Sequence, residues 1–203
     1  MFRMITISAI AVGLLSGCLG APKPSKEEIA DACLLLKENK SWYRAMRASA
    51  KDWGAPMGFQ LAVINQESSF DHKARPERQG GFLFFPGKRP STAYGYAQAL
   101  DTTWDAYKRE SGNGGADRHD FDDSVDFVGW YFAKTGQVTG IGQYDFRGHY
   151  LAYHEGQNGY LRGTWRNKRW LINTADKVSS TANRYERQIA NCNGLKSKFL
   201  GIF

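Results

Sequence analysis

The chain has 203 residues, a formal net charge of +7 at pH 7 and three cysteines, with hydrophobic residues making up 42%. That length supports one domain with a proper core. No internal repeat is visible, and Lys and Arg are scattered rather than clustered, so charge alone selects no nucleic-acid or membrane partner.

The first element in chain order is Met1 to Cys18, MFRMITISAIAVGLLSGC, with Arg3 in front, an apolar run from Ile5 to Leu15 and small residues before a cysteine. The run is short of the roughly 20 apolar residues of a membrane-spanning helix and has the shape of a secretory signal. Leu15-Ser16-Gly17-Cys18 resembles the lipobox of bacterial lipoproteins. That resemblance implies removal of residues 1–17 as a signal peptide and diacylation of Cys18. With Leu19 next, it also implies outer-membrane sorting. Residues 18–25 then form a lipid-anchored linker with two prolines, and 26–203 the folded domain. A basic exported protein meets anionic lipid or the carboxylate-rich wall, not nucleic acid.

A Ser25-x-x-Glu28 capping box opens a helix expected over Lys26–Lys40. A second is expected over Trp42–Trp53, closed by Gly54. A third runs from Met57 to about Ser69, with Pro56 in its first turn. From His72 to Pro90 periodicity is lost, and Phe82-Leu83-Phe84-Phe85 sits among glycines and prolines. This cluster reads as a substrate-shaping flap or as a loop folded over the core. Helical patterns return over Thr102–Glu110, Ser124–Lys134, Tyr144–His154 and Thr174–Cys192. Strand alternation is nearly absent, so the expected class is mainly α, a single loop-rich domain. Cys33 lies on an apolar stripe with Ile29 and Leu36, and Cys192 on one with Ala182, Tyr185 and Ile189. In an oxidising compartment these two cysteines suit a disulfide. The alternative is two buried thiols.

Glu67, at the end of the third helix, follows Ile64 and Val63 by three and four positions, so its side chain leans over apolar surface. The helix C-terminus also disfavours negative charge there. Both effects raise a carboxyl pKa and suit a general acid for glycoside cleavage. The residue pattern by itself favours an exposed Glu at a frayed helix end, since most glutamates are exposed.

Gln66-Glu67-Ser68-Ser69-Phe70 resembles the E-S-x-F signature of the SLT-type lytic transglycosylases, which have a goose-type lysozyme fold. Ala93-Tyr94-Gly95-Tyr96-Ala97-Gln98 is similar to that family's A-x-G-L-M-Q segment, and Ala152-Tyr153-His154-Glu155-Gly156 to its A-Y-N-A-G segment. The resemblance implies a lysozyme-like domain acting on peptidoglycan glycan strands as a monomer, without metal or other cofactor. It would cleave the MurNAc–GlcNAc bond to form 1,6-anhydroMurNAc at the periplasmic face of the outer membrane. It makes Glu67 the single catalytic acid and base, and gives Tyr153 a hydrogen bond to that Glu or to substrate. Ser68, Gly95, Tyr96, Ala97, Gln98 and His154 would bind substrate, with Tyr96 packing a sugar face.

The chain departs from the family pattern in a long segment between Phe70 and Ala93, in Ala97 for the usual Met, and in His154-Glu155 for Asn-Ala. Glu155 is a possible second carboxylate, which would permit hydrolysis by water. Its separation by two from Tyr153 on a helix turns it away from the site. Asp101 is a weaker candidate, reading as a helix N-cap. The histidines (72, 119, 149, 154) lack metal-ligand spacing such as H-E-x-x-H. Two rival readings remain at this stage: a non-catalytic peptidoglycan-binding lipoprotein, and a muramidase that hydrolyses the same bond.

Overall fold

The computed structural model describes residues 23–80 and 87–195. Cys18 and residues 1–17, read above as lipobox and signal segment, lie outside the described residues, as do most of the expected linker and the Phe82–Phe85 cluster. Among the described residues there are nine helices and no strand, only the isolated bridges Gln79–Lys88 and Tyr94–Ala99. The expected mainly α, loop-rich fold is what is observed. No helix among the described residues is long and apolar enough to cross a membrane.

The expected first helix is two helices, α1 (Lys26–Ala30) and α2 (Ala32–Glu38). The capping box at Ser25 is present. Asp31 then breaks the run, because its carboxylate accepts from the backbone N–H groups of Cys33 and Leu34 and starts a new helix. Helix α3 (Lys40–Trp53) ends at Gly54 in the left-handed region, φ 74°, the usual glycine stop.

Helix α4 (Met57–Ser68) carries Glu67 in its last turn. Every residue from Gly58 to Ile64 is buried, Gln60 included, whose amide donates to the Met46 and Ala55 carbonyls, so this part of the helix is enclosed on all sides at the centre of the domain. Helix α9 (Arg169–Ala190) crosses it at Gly58, where an added Cβ would lie 2.6 Å from the Ala182 carbonyl oxygen. Glu186 of α9 accepts from the Gly58 N–H, supplying from another helix the anionic cap that α4 lacks locally. The helix α6 (Phe121–Thr139) packs on α3 through Gly129, whose missing Cβ makes room for the Ser49 hydroxyl. That hydroxyl donates to the Val125 carbonyl at 2.9 Å.

Two further sequence expectations are corrected, and one helix was not expected. Helix α6 begins at Phe121 rather than Ser124, because the Asp120 side chain caps Asp122 and Asp123, and it runs on to Gly140. Helix α9 begins at Arg169 rather than Thr174, because Leu171 extends its apolar stripe. The short α8 (Gln157–Arg162) has no apolar period and was not predictable from pattern. Helices α5 (Asp101–Ser111) and α7 (Phe146–Glu155) stand where expected.

Cys33 and Cys192 form the disulfide, closing a separation of 159 residues, with Cys192 just past the end of α9. The Tyr185 hydroxyl donates to the Ile29 carbonyl and accepts from Asn65 of α4 at 3.1 Å. The chain's first helices are thereby tied to both α9 and α4, which fixes the frame on which Glu67 sits.

Candidate active site

Glu67 is aimed by the turn that follows it. Ser69 and Phe70 take left-handed φ values of 49° and 61° in succession, a conformation costing a non-glycine residue roughly 1–2 kcal/mol. Burial of Phe70, whose ring stacks on Trp42 at 5.6 Å, holds the turn. The chain thus dives into the core just after the helix and leaves the Glu67 carboxyl facing a cleft of about 440 Å³.

The opposite wall comes from residues 93–98. Gly95, at φ 74°, sits so close to the next loop that a Cβ would fall 1.9 Å from the Arg118 carbonyl oxygen. Its N–H donates to Ala74 at 3.0 Å, and the Tyr96 N–H donates to Arg118 at 3.2 Å. Gln98 also has a left-handed φ, 49°, and its side-chain nitrogen donates to the Ala74 and Gly95 carbonyls at 2.9 and 2.8 Å. Its amide therefore both braces this loop and lines the cleft. The Arg118 guanidinium clamps the segment from outside, donating to Thr92 and Ala99 and pairing with Asp101 at 2.8 Å.

Helix α7 supplies the third wall. Tyr150 and Tyr153 are one turn apart with near-parallel rings. The Tyr150 hydroxyl donates to Glu67 Oε1 at 2.9 Å, while the Tyr153 hydroxyl donates to the Ala97 carbonyl at 2.6 Å. The bond to Glu67 that the resemblance offered to Tyr153 is thus made by its neighbour Tyr150. Tyr153 lines the cleft and ties α7 to the 93–98 loop. Burial and the nearby Glu67 push both phenol pKa values up, so both are hydrogen-bond donors at neutral pH.

Burial raises the Glu67 carboxyl from 4.5 to about 7, against the opposing pull of the Tyr150 hydrogen bond. As a residue it is half-buried, lining the cleft on one side and held by Tyr150 of α7 on the other. The resulting group is a carboxylic acid that carries its proton near neutrality and faces a space large enough for a sugar.

Glu155 shares the cleft but has a different chemistry. Its oxygens accept from Lys168 Nζ at 2.7 and 2.8 Å and from the Thr164 hydroxyl, and the His154 ring nitrogen lies 3.0 Å away. Burial raises its pKa, but these partners outweigh it and hold the carboxyl at about 2. It is a fixed anion that pins the end of α7 to the 163–168 loop.

The remaining sequence candidates divide clearly. His154 lines the cleft. Tyr96 does not: it is 3% exposed, edge-on to Trp42 and Phe121, so its ring is core and presents no face to a sugar. Ala97 is buried behind it and contributes its carbonyl to Tyr153. Ser68 donates back to the Ile64 carbonyl within α4. Asp101 is the first residue of α5 rather than its N-cap, which is Leu100, and is bound to Arg118. His149 is buried against Phe132. Sequence reasoning missed Tyr150; the available signal was its one-turn spacing from Tyr153. It also missed Phe127 and Tyr131, which line the cleft from α6. Among the described residues no group of three or more His, Cys, Asp or Glu is placed to hold a metal.

Comparison with known families matches residues 6–192 to a family model described as Transglycosylase SLT domain. No curated protein matches the chain.

Proposed function

The chain belongs to the transglycosylase SLT-domain family, and from that premise we propose that it cleaves the β-1,4 bond between MurNAc and GlcNAc in peptidoglycan, forming 1,6-anhydroMurNAc. The observation that carries this reading is the contrast between Glu67, which lines the cleft with its pKa raised by burial to about 7, and Glu155, whose oxygens are already committed. One carboxyl is free to exchange protons, and a reaction that needs one carboxyl fits it.

The steps balance without water. Glu67 donates its proton to the glycosidic oxygen as the bond from that oxygen to the muramyl anomeric carbon breaks. The oxocarbenium-like centre is attacked by the muramyl 6-hydroxyl oxygen, and the hydroxyl proton passes to the Glu67 carboxylate, restoring the acid. The attacking group belongs to the same sugar, so its effective concentration is high. Tyr150 orients the carboxyl and steadies its ionised form in mid-reaction. Gln98 and Tyr153 line the cleft in which the glycan lies.

The same proposal includes the cell-envelope setting. The protein acts as a monomer, lipid-anchored through Cys18 at the periplasmic face of the outer membrane, where the short linker before α1 places the domain close to its membrane, facing the wall. A Cys18→Ser protein recovered in the membrane fraction as fully as the parent would remove this part.

The test of the reaction is mass spectrometry of products from purified peptidoglycan digested with residues 21–203. Anhydro products about 18 mass units below the hydrolytic ones support the transglycosylase, because no water is taken up. Reducing-end products would instead make Glu155 a working base and the protein a muramidase. Binding without soluble products would make it a peptidoglycan-binding module.

A further inference from the structure

A second pocket, of about 500 Å³, meets the Glu67 cleft at Ala93, which lines both. Its character is opposite to that of the cleft. Arg75, Arg89 and Arg118 face it, with Asp101 as the one acid among the described residues that line it. Asp101 is neutralised by Arg118, whose guanidinium is also bound to two backbone carbonyls. The other two guanidiniums carry the pocket's uncompensated charge. Arg75 lies over the Tyr94 ring at 4.2 Å. The ring attracts the cation without using any of its N–H donors, and a guanidinium can grip a carboxylate with two parallel hydrogen bonds. Arg89 gives one N–H to the Pro76 carbonyl, so most of its five donors are left over. Both side chains are exposed, so neither has been desolvated to serve the core.

We propose that this pocket binds the free carboxylates of the peptide stem carried by the muramyl sugar, with Arg75 and Arg89 as the carboxylate-binding residues. The inference rests on the glycan-cleaving reading and deepens it. A strand in the Glu67 cleft carries its peptides sideways from the sugar backbone, and the cationic pocket opens beside that cleft at Ala93. A stem seated there adds binding energy remote from the reacting bond and selects strands that still carry peptides.

The experiment compares two substrates, intact sacculi and the same glycan stripped of peptides by an amidase. With R75A/R89A, KM on stem-bearing strands rises about ten-fold, as expected for losing a charge-assisted contact at a solvated site, while kcat and the cleavage of stripped strands stay at the parent level. R75K keeps the charge but not the planar fork, and recovers only part of the loss. Added salt lowers the parent's preference for stem-bearing strands and not the variant's. Equal losses on both substrates, or no loss on stem-bearing strands, would overturn the proposal. Should the parent release nothing from either substrate, the glycan-cleaving reading falls by itself. Co-sedimentation with the same two substrates then decides the stem site: selective loss of sacculus binding in R75A/R89A supports it, and unchanged binding ends it.

Discussion

The Tyr150 hydroxyl donates to Oε1 of Glu67 at 2.9 Å, joining the last turn of α4 to α7 across 83 residues of sequence. Burial raises the pKa of this carboxyl and the hydrogen bond lowers it, so the bond sets how far into the neutral range the acid stays protonated. In the proposed reaction Glu67 begins protonated, so activity should fall as pH rises through about 7. Tyr150→Phe removes the stabilisation of the ionised form. The descending limb should move to higher pH while turnover drops by roughly ten-fold as the carboxyl loses its orientation. A pH–rate profile of the two proteins checks this; a slower variant with an unmoved limb would reduce Tyr150 to packing.

Glu67→Gln removes the acid and should cost roughly 10³-fold or more in release of anhydro products. Its effect on stability has the opposite sign. The folded protein holds the Glu67 proton up to about pH 7, the unfolded chain only to about its ordinary 4.5. The ionised carboxylate therefore destabilises the fold, a cost absent below 4.5 and complete above about 7. The Gln variant should be more stable than the parent at alkaline pH, by at most roughly 3 kcal/mol, and no more stable in acid. Denaturant melts at both ends of this range measure the gap, which burial requires to depend on pH.

For Glu155 the linkage runs the other way. Its folded pKa of about 2 lies below the unfolded 4.5, so its contribution is present above 4.5 and is lost as pH falls through about 2. Lys168 is 41% exposed, which screens the pair, and Glu155→Gln should cost only about 1 kcal/mol at neutral pH. Anhydro products should persist in this variant. If it folds but releases none, a single-carboxyl reaction is the wrong reading.

The Cys33–Cys192 bridge spans 159 residues. In the chain-entropy model a loop of that length stabilises by about 5 kcal/mol at most. The Cys33→Ala/Cys192→Ala protein should show a lower melting temperature than the oxidised parent, and dithiothreitol should bring the parent down to the same value. Coincident melts before reduction would mean that packing of α9 on α4 alone holds the ends of the domain.

Much of the architecture could be read from local pattern. Apolar spacing locates α3, α4 and α7 because each buries one face, or all faces, at a fixed period. The capping box at Ser25 locates the start of α1. Asp31 and Asp120 escaped because a short acidic side chain inside a helical pattern looks like surface until its backbone partners are known. Helix α8 escaped because it has little apolar face of its own and is held between Gly156 and Gly163.

What the sequence determined by itself is the set of chemical parts: a Glu on an apolar helix end, a glycine loop, a tyrosine-bearing helix and two cysteines on inward stripes. These follow from residue type and spacing, which local sterics and burial act on directly. The tertiary structure decided how the parts are used. It turned Tyr96 into the core, gave Tyr150 and not Tyr153 the bond to Glu67, and committed Glu155 to Lys168 and Thr164. Those outcomes depend on which side chains meet across helices far apart in the chain, and packing alone brings such groups within hydrogen-bond distance.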